Sequence, residues 1–190
     1  MSKKFIFIIM AIFFGISFIA ASFGEGLKIG TDAPPFRVKS GEDKELTLDM
    51  IKGKVIIIFY ETKDVVENNR QLKNELNKFY NEQPDTVKEL IVRLPIINCS
   101  GAFWPFTEIW KSILMDNSKK EGITIYGDWN GKVFSYYKMK DRESNVVITD
   151  KKGIIRYIAP GKVGDEEINK IKELLEELED EKWTTSHNSG

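Results

Sequence analysis

Two continuous β-branched runs dominate the pattern of apolar and polar positions along the chain. Residues 55–60 (VIIIFY) and 90–98 (LIVRLPIIN) show no regular alternation between apolar and polar side chains. Such runs are typical of strands that are buried on both faces of a sheet. Pro95 lies inside the second run and predicts an irregular end of that strand, because proline donates no ladder hydrogen bond. Shorter strands are predicted at residues 123–126, 146–149 and 154–158.

Apolar residues at helical spacing predict helices between and after these strands. The predicted helices cover residues 65–83, 106–117, 133–139 and 164–181. In the second of them the predicted buried stripe consists of Ile109, Trp110, Ile113 and Leu114. Residues 27–54 carry short apolar pieces broken by Pro and Gly, which predicts an extended lead-in with a small hairpin around residues 40–43.

This order of elements predicts a single α/β domain. Parallel neighbouring strands need helical crossovers, and such crossovers cover both faces of the sheet. We therefore expect a three-layer sandwich with a mixed central sheet and helices on both faces. The domain is assigned to residues 23–183, and residues 184–190 form a polar tail with no apolar stripe to anchor it.

The first 22 residues have the three-part layout of a secretory signal peptide. Two lysines precede an uncharged stretch, residues 5–19, and Ala20-Ala21-Ser22 places small residues before a cut at Phe23. The alternative is an uncleaved anchor, because residues 5–21 just reach the lower limit of about 17 apolar residues for a membrane span. Both interpretations predict export: to the periplasm after cleavage, or to the inner membrane facing the periplasm if the segment is retained. Contact with a membrane is expected only in the second case.

Composition and charge exclude several classes of function. The chain has 190 residues, of which 42% are hydrophobic, and its 28 basic and 29 acidic residues give a net charge of −1. A nucleic-acid partner is therefore not expected, because such binding needs a basic face. One cysteine excludes an intramolecular disulfide and a cysteine-based zinc site, and the only histidine, His187, lies in the tail. We predict no cofactor and no metal site.

Three segments of the chain follow the motifs of a known family in order and spacing. They are Gly30–Phe36 (GTDAPPF), Leu48–Tyr60 ending in GKVIIIFY, and Gly131–Gly153 ending in the turn before the last hairpin strand. They resemble the redoxins, a thioredoxin-fold superfamily that includes peroxiredoxins and the TlpA-like thiol oxidoreductases. Residues 96–161 are most similar to the YtfJ family, small exported proteins with a thioredoxin-like fold and unsettled function. The resemblance implies a thioredoxin-like fold.

The resemblance also locates the positions of the redoxin active site, and these carry no thiol. They correspond here to Thr62, Asp64, Glu67 and Asn145, with Asp64 and Glu67 in place of the two cysteines of the dithiol motif. A dithiol–disulfide reaction is therefore not possible at this site. Asp64 and Glu67 favour a capping box at a helix start, although two carboxylates on one helical face could also bind a metal or act as acid and base.

Cys99, the only thiol, follows the second long strand. It could be an inert buried residue, could pair with a partner protein in an oxidising compartment, or could act as a nucleophile. The position disfavours the nucleophile, because the redoxin thiolate lies at the start of the first helix and gains its low pKa there. No basic residue lies close to Cys99 in the sequence.

An aromatic loop connects the second long strand to the next helix. It contains Phe103, Trp104 and Phe106. Aromatic side chains are common interface anchors when they are exposed, and common core residues when they pack against a sheet end. We take this loop as the candidate binding surface, with core packing as the alternative.

These observations favour an exported thioredoxin-fold protein without a redox-active dithiol. The expected role is that of a binding or accessory module of the YtfJ type in the bacterial envelope, with an envelope protein as its partner. The alternative is a single-cysteine redox protein or peroxidase that acts through Cys99. The sequence thus favours a non-catalytic protein but leaves the question of enzymatic activity open.

Overall fold

The computed structural model describes residues 27–180, which form a seven-stranded mixed sheet. The strands are β1 (Arg37–Ser40), β2 (Glu45–Thr47), β3 (Val55–Glu61), β4 (Ile91–Asn98), β5 (Tyr126–Asp128), β6 (Asn145–Thr149) and β7 (Ile155–Pro160). Their spatial order is β2-β1-β5-β4-β3-β6-β7. The three central strands β5, β4 and β3 are parallel, and the remaining strands pair antiparallel on both sides of them.

Within residues 27–180, four α-helices and one 3-10 helix connect the strands, and a fifth α-helix follows the last strand. They are the 3-10 helix (Leu48–Ile51), α1 (Arg70–Glu82), α2 (Asp85–Lys88), α3 (Thr107–Glu121), α4 (Lys132–Tyr136) and α5 (Asp165–Asp180). The predicted fold class is confirmed, because helices cover both faces of a mixed sheet. The predicted helix at residues 106–117 is four residues longer at its carboxyl end, where Gly122 adopts a left-handed conformation that ends α3.

Strand β3 divides the core between the two faces of the sheet. All seven of its residues are buried. Because side chains alternate along a strand, Ile56, Ile58 and Tyr60 contribute to one core cluster together with residues of α4. Val55, Ile57 and Phe59 contribute to the other cluster, beneath α1 and α5. Continuous apolar character in the sequence thus reflects a strand covered on both sides.

Pro95 is accommodated inside the central strand β4 because of the register of its neighbours. It lies opposite Phe59 of β3, whereas β5 pairs only with the three residues that follow, Ile96 to Asn98. At Pro95 the strand therefore has a neighbour on one side only, and a residue without an N–H group is tolerated there.

Helix α1 begins five residues later than the sequence predicts. Residues 62–69 form successive tight turns instead, with backbone hydrogen bonds from Val65 N to Thr62 O (3.1 Å) and from Asn68 N to Val65 O (3.0 Å). The residue before the helix is Asn69, whose side chain makes no capping hydrogen bond and points into the protein. Tertiary contacts of this side chain, described below, hold the turns in place.

Two predictions made from the sequence fall outside the described residues. These are the signal segment, residues 1–22, and the polar tail, residues 184–190. Among the helices of residues 27–180, none has the length and apolar character that a bilayer-spanning helix needs.

Candidate functional site

The four positions that match the redoxin active site lie near the carboxyl end of β3, but they do not form a cluster. Asn145 is buried and pairs with Tyr60 across the sheet, and the Thr62 hydroxyl is buried without a partner. Asp64 and Glu67 are exposed to solvent instead. The structure therefore brings Asn145 and Thr62 to the end of the strand and turns the two carboxylates away from it.

The predicted capping box at Asp64 and Glu67 is wrong. Neither residue precedes the first turn of α1, which begins at Arg70. Glu67 binds Arg70 at 2.6 Å, and Arg70 also binds Glu121 at the end of α3 (3.0 Å). The Arg70 guanidinium holds the pKa of the Glu67 carboxyl below its ordinary value. These groups form an exposed ion-pair chain between α1 and α3.

A buried carboxylate that sequence reasoning missed lies at the same strand end. Glu61 is the last residue of β3 and is only 2% exposed. Its Oε2 accepts a hydrogen bond from Lys73 Nζ at 2.6 Å, and its Oε1 accepts one from Ser144 Oγ at 2.6 Å. Lys73 reaches it from α1, and Ser144 directly precedes β6. The carboxylate thus joins β3, α1 and the segment before β6.

Asn69 extends this arrangement to the loop after β7. Its Nδ2 donates to Ser144 Oγ and to the carbonyl of Gly161, both at 2.9 Å. Its Oδ1 accepts from the backbone N–H of Val163 at 2.8 Å. We call Glu61, Asn69, Lys73 and Ser144 the buried polar cluster. Each side-chain nitrogen and oxygen atom of this cluster has a hydrogen-bond partner within the protein, as is required of polar groups that are removed from water.

Burial governs the electrostatics of this cluster. It raises the pKa of the Glu61 carboxyl, and the Lys73 ammonium offsets only part of that effect. Lys73 also donates to the Val66 carbonyl (2.8 Å) and lies 5.5 Å from the centre of the Phe59 ring. Ser144 is fully buried, so its hydroxyl has no access to a substrate in this conformation. The cluster is built to hold chain segments together.

Asn145 completes the attachment of β6 to its surroundings. Its Nδ2 lies within hydrogen-bond distance of the carbonyls of Lys140 and Glu143, both at 3.0 Å, and its Oδ1 accepts from the Lys140 N–H at 2.8 Å. The side chain therefore organises the loop that leads into β6. Asn145 is one of the four positions matched to the redoxin active site, and its side chain here binds the backbone of its own loop.

Cys99 is fully buried beyond the end of β4. Its neighbours are Leu114, Ile125 and Trp129, and the Trp129 ring comes so close to Gly127 that a side chain there would overlap it. Burial, together with the negative charge of Asp128, raises the pKa of the Cys99 thiol to about 12. At neutral pH the residue is therefore a protonated thiol, which is a poor nucleophile.

Asp128, the last residue of β5, is hydrogen-bonded to Cys99 through the backbone, with the Cys99 N–H donating to the Asp128 carbonyl at 3.2 Å. It is fully buried, and its Oδ2 accepts hydrogen bonds from Tyr60 OH and from the Phe134 N–H, both at 3.0 Å. This carboxylate fixes the start of α4 against β3. The burial of Asp128 follows from the position of β5 beside β4, where it pairs with Asn98.

The aromatic loop is exposed at the same edge of the sheet. Trp104 is 86% exposed, Phe103 is 66% exposed and Phe106 is 47% exposed. The Phe103 and Phe106 rings contact each other edge to face with centroids 5.4 Å apart. The exposure removes the alternative of core packing, and binding by this loop stays a prediction.

Helix α3 continues the exposed apolar surface. Ile109 and Ile113, which the sequence assigns to a buried stripe, are 55% and 50% exposed, so that part of the prediction is wrong. Leu114 faces Cys99 and Ile125 in the core, and Trp110 packs partly against the same cluster. The helix is therefore rotated so that one side of the predicted stripe contacts the sheet and the other side faces solvent.

Among residues 27–180 no group of three or more ligand-type side chains could hold a metal ion.

Two hollows lie away from the positions discussed above. One of about 250 Å³ is lined by residues such as Leu48, Ile56 and Gly153 at the amino end of β3. The other, of about 420 Å³, is a groove between α1 and α5.

Solved structures similar to this chain share the thioredoxin fold. A thiol peroxidase from Chromobacterium violaceum has a TM-score of 0.59 and 14% identity, over 81% of this chain and 89% of that chain. The thioredoxin domain of a thiol-disulfide oxidoreductase from Bacteroides vulgatus has a TM-score of 0.57 and 17% identity, over 79% and 99%. An uncharacterized conserved protein from Geobacillus kaustophilus has a TM-score of 0.59 and 17% identity, over 80% and 82%. At these identities the likeness concerns the fold.

The sequence comparisons define the family. No curated protein matches the chain significantly. Residues 43–178 match a family profile described as a bacterial protein of unknown function (YtfJ_HI0045). This range extends from the β1–β2 turn to the last turns of α5 and therefore spans most of the fold. The chain belongs to the YtfJ_HI0045 family, with the thioredoxin-like fold described above.

Proposed function

We propose that this protein is exported to the bacterial envelope and works there by binding another protein, without dithiol chemistry. The main support for the proposal is that the positions matched to the redoxin active site carry no thiol. Its two cysteine positions are held by the exposed carboxylates Asp64 and Glu67, and the only thiol of the chain lies elsewhere, sealed in the core. The fold is retained and the redox group is absent.

The exposed aromatic loop supports the binding role. Large apolar side chains that remain in contact with water make no hydrophobic contribution to the stability of the folded state. Contiguous patches of such side chains mark interaction sites. Trp104 and Phe103 are the most exposed aromatic residues of the described chain, and they lie beside each other. Tryptophan in particular is enriched among residues that dominate interface energies.

A site-specific cross-linking experiment tests the binding role. Trp104 is replaced by a photo-reactive phenylalanine analogue in the full chain, expressed in its native host and irradiated in living cells. The matched control carries the analogue at Met50, which is 64% exposed on the 3-10 helix. We expect a discrete cross-linked species from position 104 and none from position 50. Equal behaviour of the two positions would contradict the proposal.

Export rests on the pattern of residues 1–22, and mass spectrometry tests it. We expect protein released with the soluble periplasmic contents to have an intact mass that begins at Phe23. Protein recovered only with the inner membrane, with residues 1–22 still attached, would favour the anchored form. Full-length protein in the cytoplasm would refute export.

The competing function is a single-cysteine peroxidase that acts through Cys99. One structural neighbour is a thiol peroxidase, but the buried and protonated Cys99 thiol disfavours such chemistry here. We expect the reduced protein to consume hydrogen peroxide no faster than its Cys99→Ser variant. Consumption that is lost in that variant would replace the binding proposal by the redox one.

The state of the thiol in cells gives an independent check. Protein isolated from the envelope is alkylated without reduction, first folded and then in denaturant. We expect no alkyl group on the folded protein and one after unfolding. A mass adduct, or a disulfide-linked partner, would mean that Cys99 is in use.

A further inference from the structure

We propose that the partner of the aromatic surface is a second copy of this chain, paired through α3 across a two-fold axis. The inference rests on the proposed binding function and names the partner of that same surface. The surface consists of Phe103, Trp104, Phe106, Ile109 and Ile113, and we call it the α3 face. All five side chains are between about half and nine-tenths exposed.

The spacing of the α3 face makes it continuous. Phe106, Ile109 and Ile113 are three and four residues apart, so they lie in one row along the helix. Phe103 and Trp104 extend the row beyond the amino end of α3, and the Phe103 ring contacts the Phe106 ring. Asp116 and Asn117, three and four residues after Ile113, follow on the same side of α3, and Lys120 comes after them. The apolar part of the row therefore ends at Ile113.

The size of the α3 face suits a stable dimer. With roughly 150–250 Å² for each aromatic side chain, the three rings expose about 400 Å². The two half-exposed isoleucines bring the patch to the upper end of the roughly 300–600 Å² that the largest patch of a monomer spans. A stable interface buries about 800 Å² on each side, including its polar rim, so the patch can supply the apolar centre of such an interface.

The two ends of α3 complement each other when two copies pair antiparallel, because one end carries aromatic rings and the other carries cations. The amino end of the helix carries the aromatic residues, and the last turn carries Lys119 and Lys120. Ile113 lies midway between Phe106 and Lys120 in the sequence. A two-fold axis at Ile113 therefore places Phe106 of each copy opposite Lys120 of the other. An ammonium group over the face of an aromatic ring is attracted to that ring. The two-fold symmetry forms this contact twice.

The same geometry favours a second copy over a different protein. An isologous interface uses one patch on both subunits, and each end of α3 supplies what the other end binds. Opposed helices also place each helix amino end beside the carboxyl end of the other, which is the favourable arrangement of their dipoles. Cyclic dimers of this type are the commonest assemblies of soluble proteins.

Sedimentation equilibrium of the protein recovered from its host tests the proposal. We expect the mass to rise with concentration toward twice that of one chain. Ile113→Asp should raise the dissociation constant at least about tenfold, because it brings two carboxylates together at an apolar axis. The matched control Met50→Asp places the same charge on another exposed apolar residue and should leave association unchanged. An Ile113→Asp variant that dimerises like the wild type would overturn the proposal.

A cysteine placed on the axis gives a second measurement that does not depend on affinity. In a Cys99→Ala background, Ile113→Cys should form a disulfide-linked dimer under mild oxidation, because the residue meets its own copy on the axis. Ile29→Cys, at a position 62% exposed, should not. Failure of both association and cross-linking would overturn the self-pairing. If position 104 still captured another protein in cells, the proposed binding function would stand with a different partner, and if it captured nothing, both would fall.

Discussion

Two regions at the same edge of the sheet, beyond β3 and beyond β4, differ in how they place their side chains. Beyond β3 lies the buried polar cluster, in which Glu61 and Lys73 are removed from water and bound to each other. Beyond β4 lies the aromatic loop, in which Trp104 is almost fully exposed. The charges are inside and the apolar groups are outside, the reverse of the usual arrangement.

This contrast distinguishes a region that stabilises the fold from a region that is available to bind another protein. A buried charge is tolerated only with full pairing and hydrogen bonding, and the cluster meets that condition within the chain. Exposed apolar groups gain free energy only when another surface covers them. The first region is thus complete without a ligand, whereas the second is not. Binding is therefore expected at the aromatic loop rather than at the buried polar cluster.

Removal of the buried carboxylate should have the largest effect. Glu61→Ala leaves the Lys73 ammonium partly buried without its carboxylate and removes the acceptor of Ser144. We expect the free energy of unfolding to fall by about 3–5 kcal/mol, measured by urea denaturation at neutral pH. Glu67→Ala is the matched control, because Glu67 also pairs with a cation at 2.6 Å but in solvent. A similar loss in both variants would mean that the buried cluster has no special role.

Loss of the hydroxyl in the cluster should have an intermediate effect. Ser144→Ala removes a hydrogen bond to a buried carboxylate and leaves Asn69 Nδ2 with one acceptor fewer. We expect a loss of about 1.5–3 kcal/mol in the free energy of unfolding, the range for bonds to charged groups. Ser135→Ala, on the exposed side of α4, should stay within about 0.5 kcal/mol of the wild type. If Ser144→Ala is equally mild, the Ser144–Glu61 bond adds little.

Much of the fold could be predicted from the sequence, because the determining patterns are local. The runs that form β3 and β4 are continuous and β-branched, and the sheet covers them on both faces as expected. The rotation of α3 could not be predicted in the same way. Ile109 and Leu114 fit one stripe equally well by spacing, and only the position of Cys99 and Ile125 beneath the helix decides which of them is buried.

The buried polar cluster could not be predicted from local patterns at all. Glu61 and Ser144 lie 83 residues apart and meet only because β6 pairs with β3. The start of α1 depends on the same contacts, since Asn69 binds residues that follow β7. One available sign was a glutamate directly after an unbroken apolar strand, a position where a charge is buried unless the chain turns at once.

The dependence of stability on pH should show a smaller effect with a definite sign. Burial raises the pKa of Glu61 above its ordinary value of 4.5, so between the unfolded and folded pKa values the folded state holds more protons. The contribution of the Glu61 carboxyl to stability is therefore fully present below its pKa in the unfolded protein. It is lost as the pH rises through its pKa in the folded protein. We expect the stability of the wild type relative to Glu61→Gln to be higher at about pH 4 than at about pH 7. The opposite trend would mean that the attraction of Lys73 outweighs burial.

The smallest effect on folding is expected at the residue with the greatest expected effect on binding. Trp104→Ala removes a ring that is 86% exposed, so the free energy of unfolding should change by less than about 0.5 kcal/mol. The same variant should weaken association through the α3 face, because exposed aromatic anchors contribute when they are covered. Urea denaturation and sedimentation of one preparation measure both quantities. A destabilised variant with unchanged association would show that the aromatic loop stabilises the fold and does not bind a partner. The buried polar cluster and the aromatic loop would then differ only in their exposure to solvent.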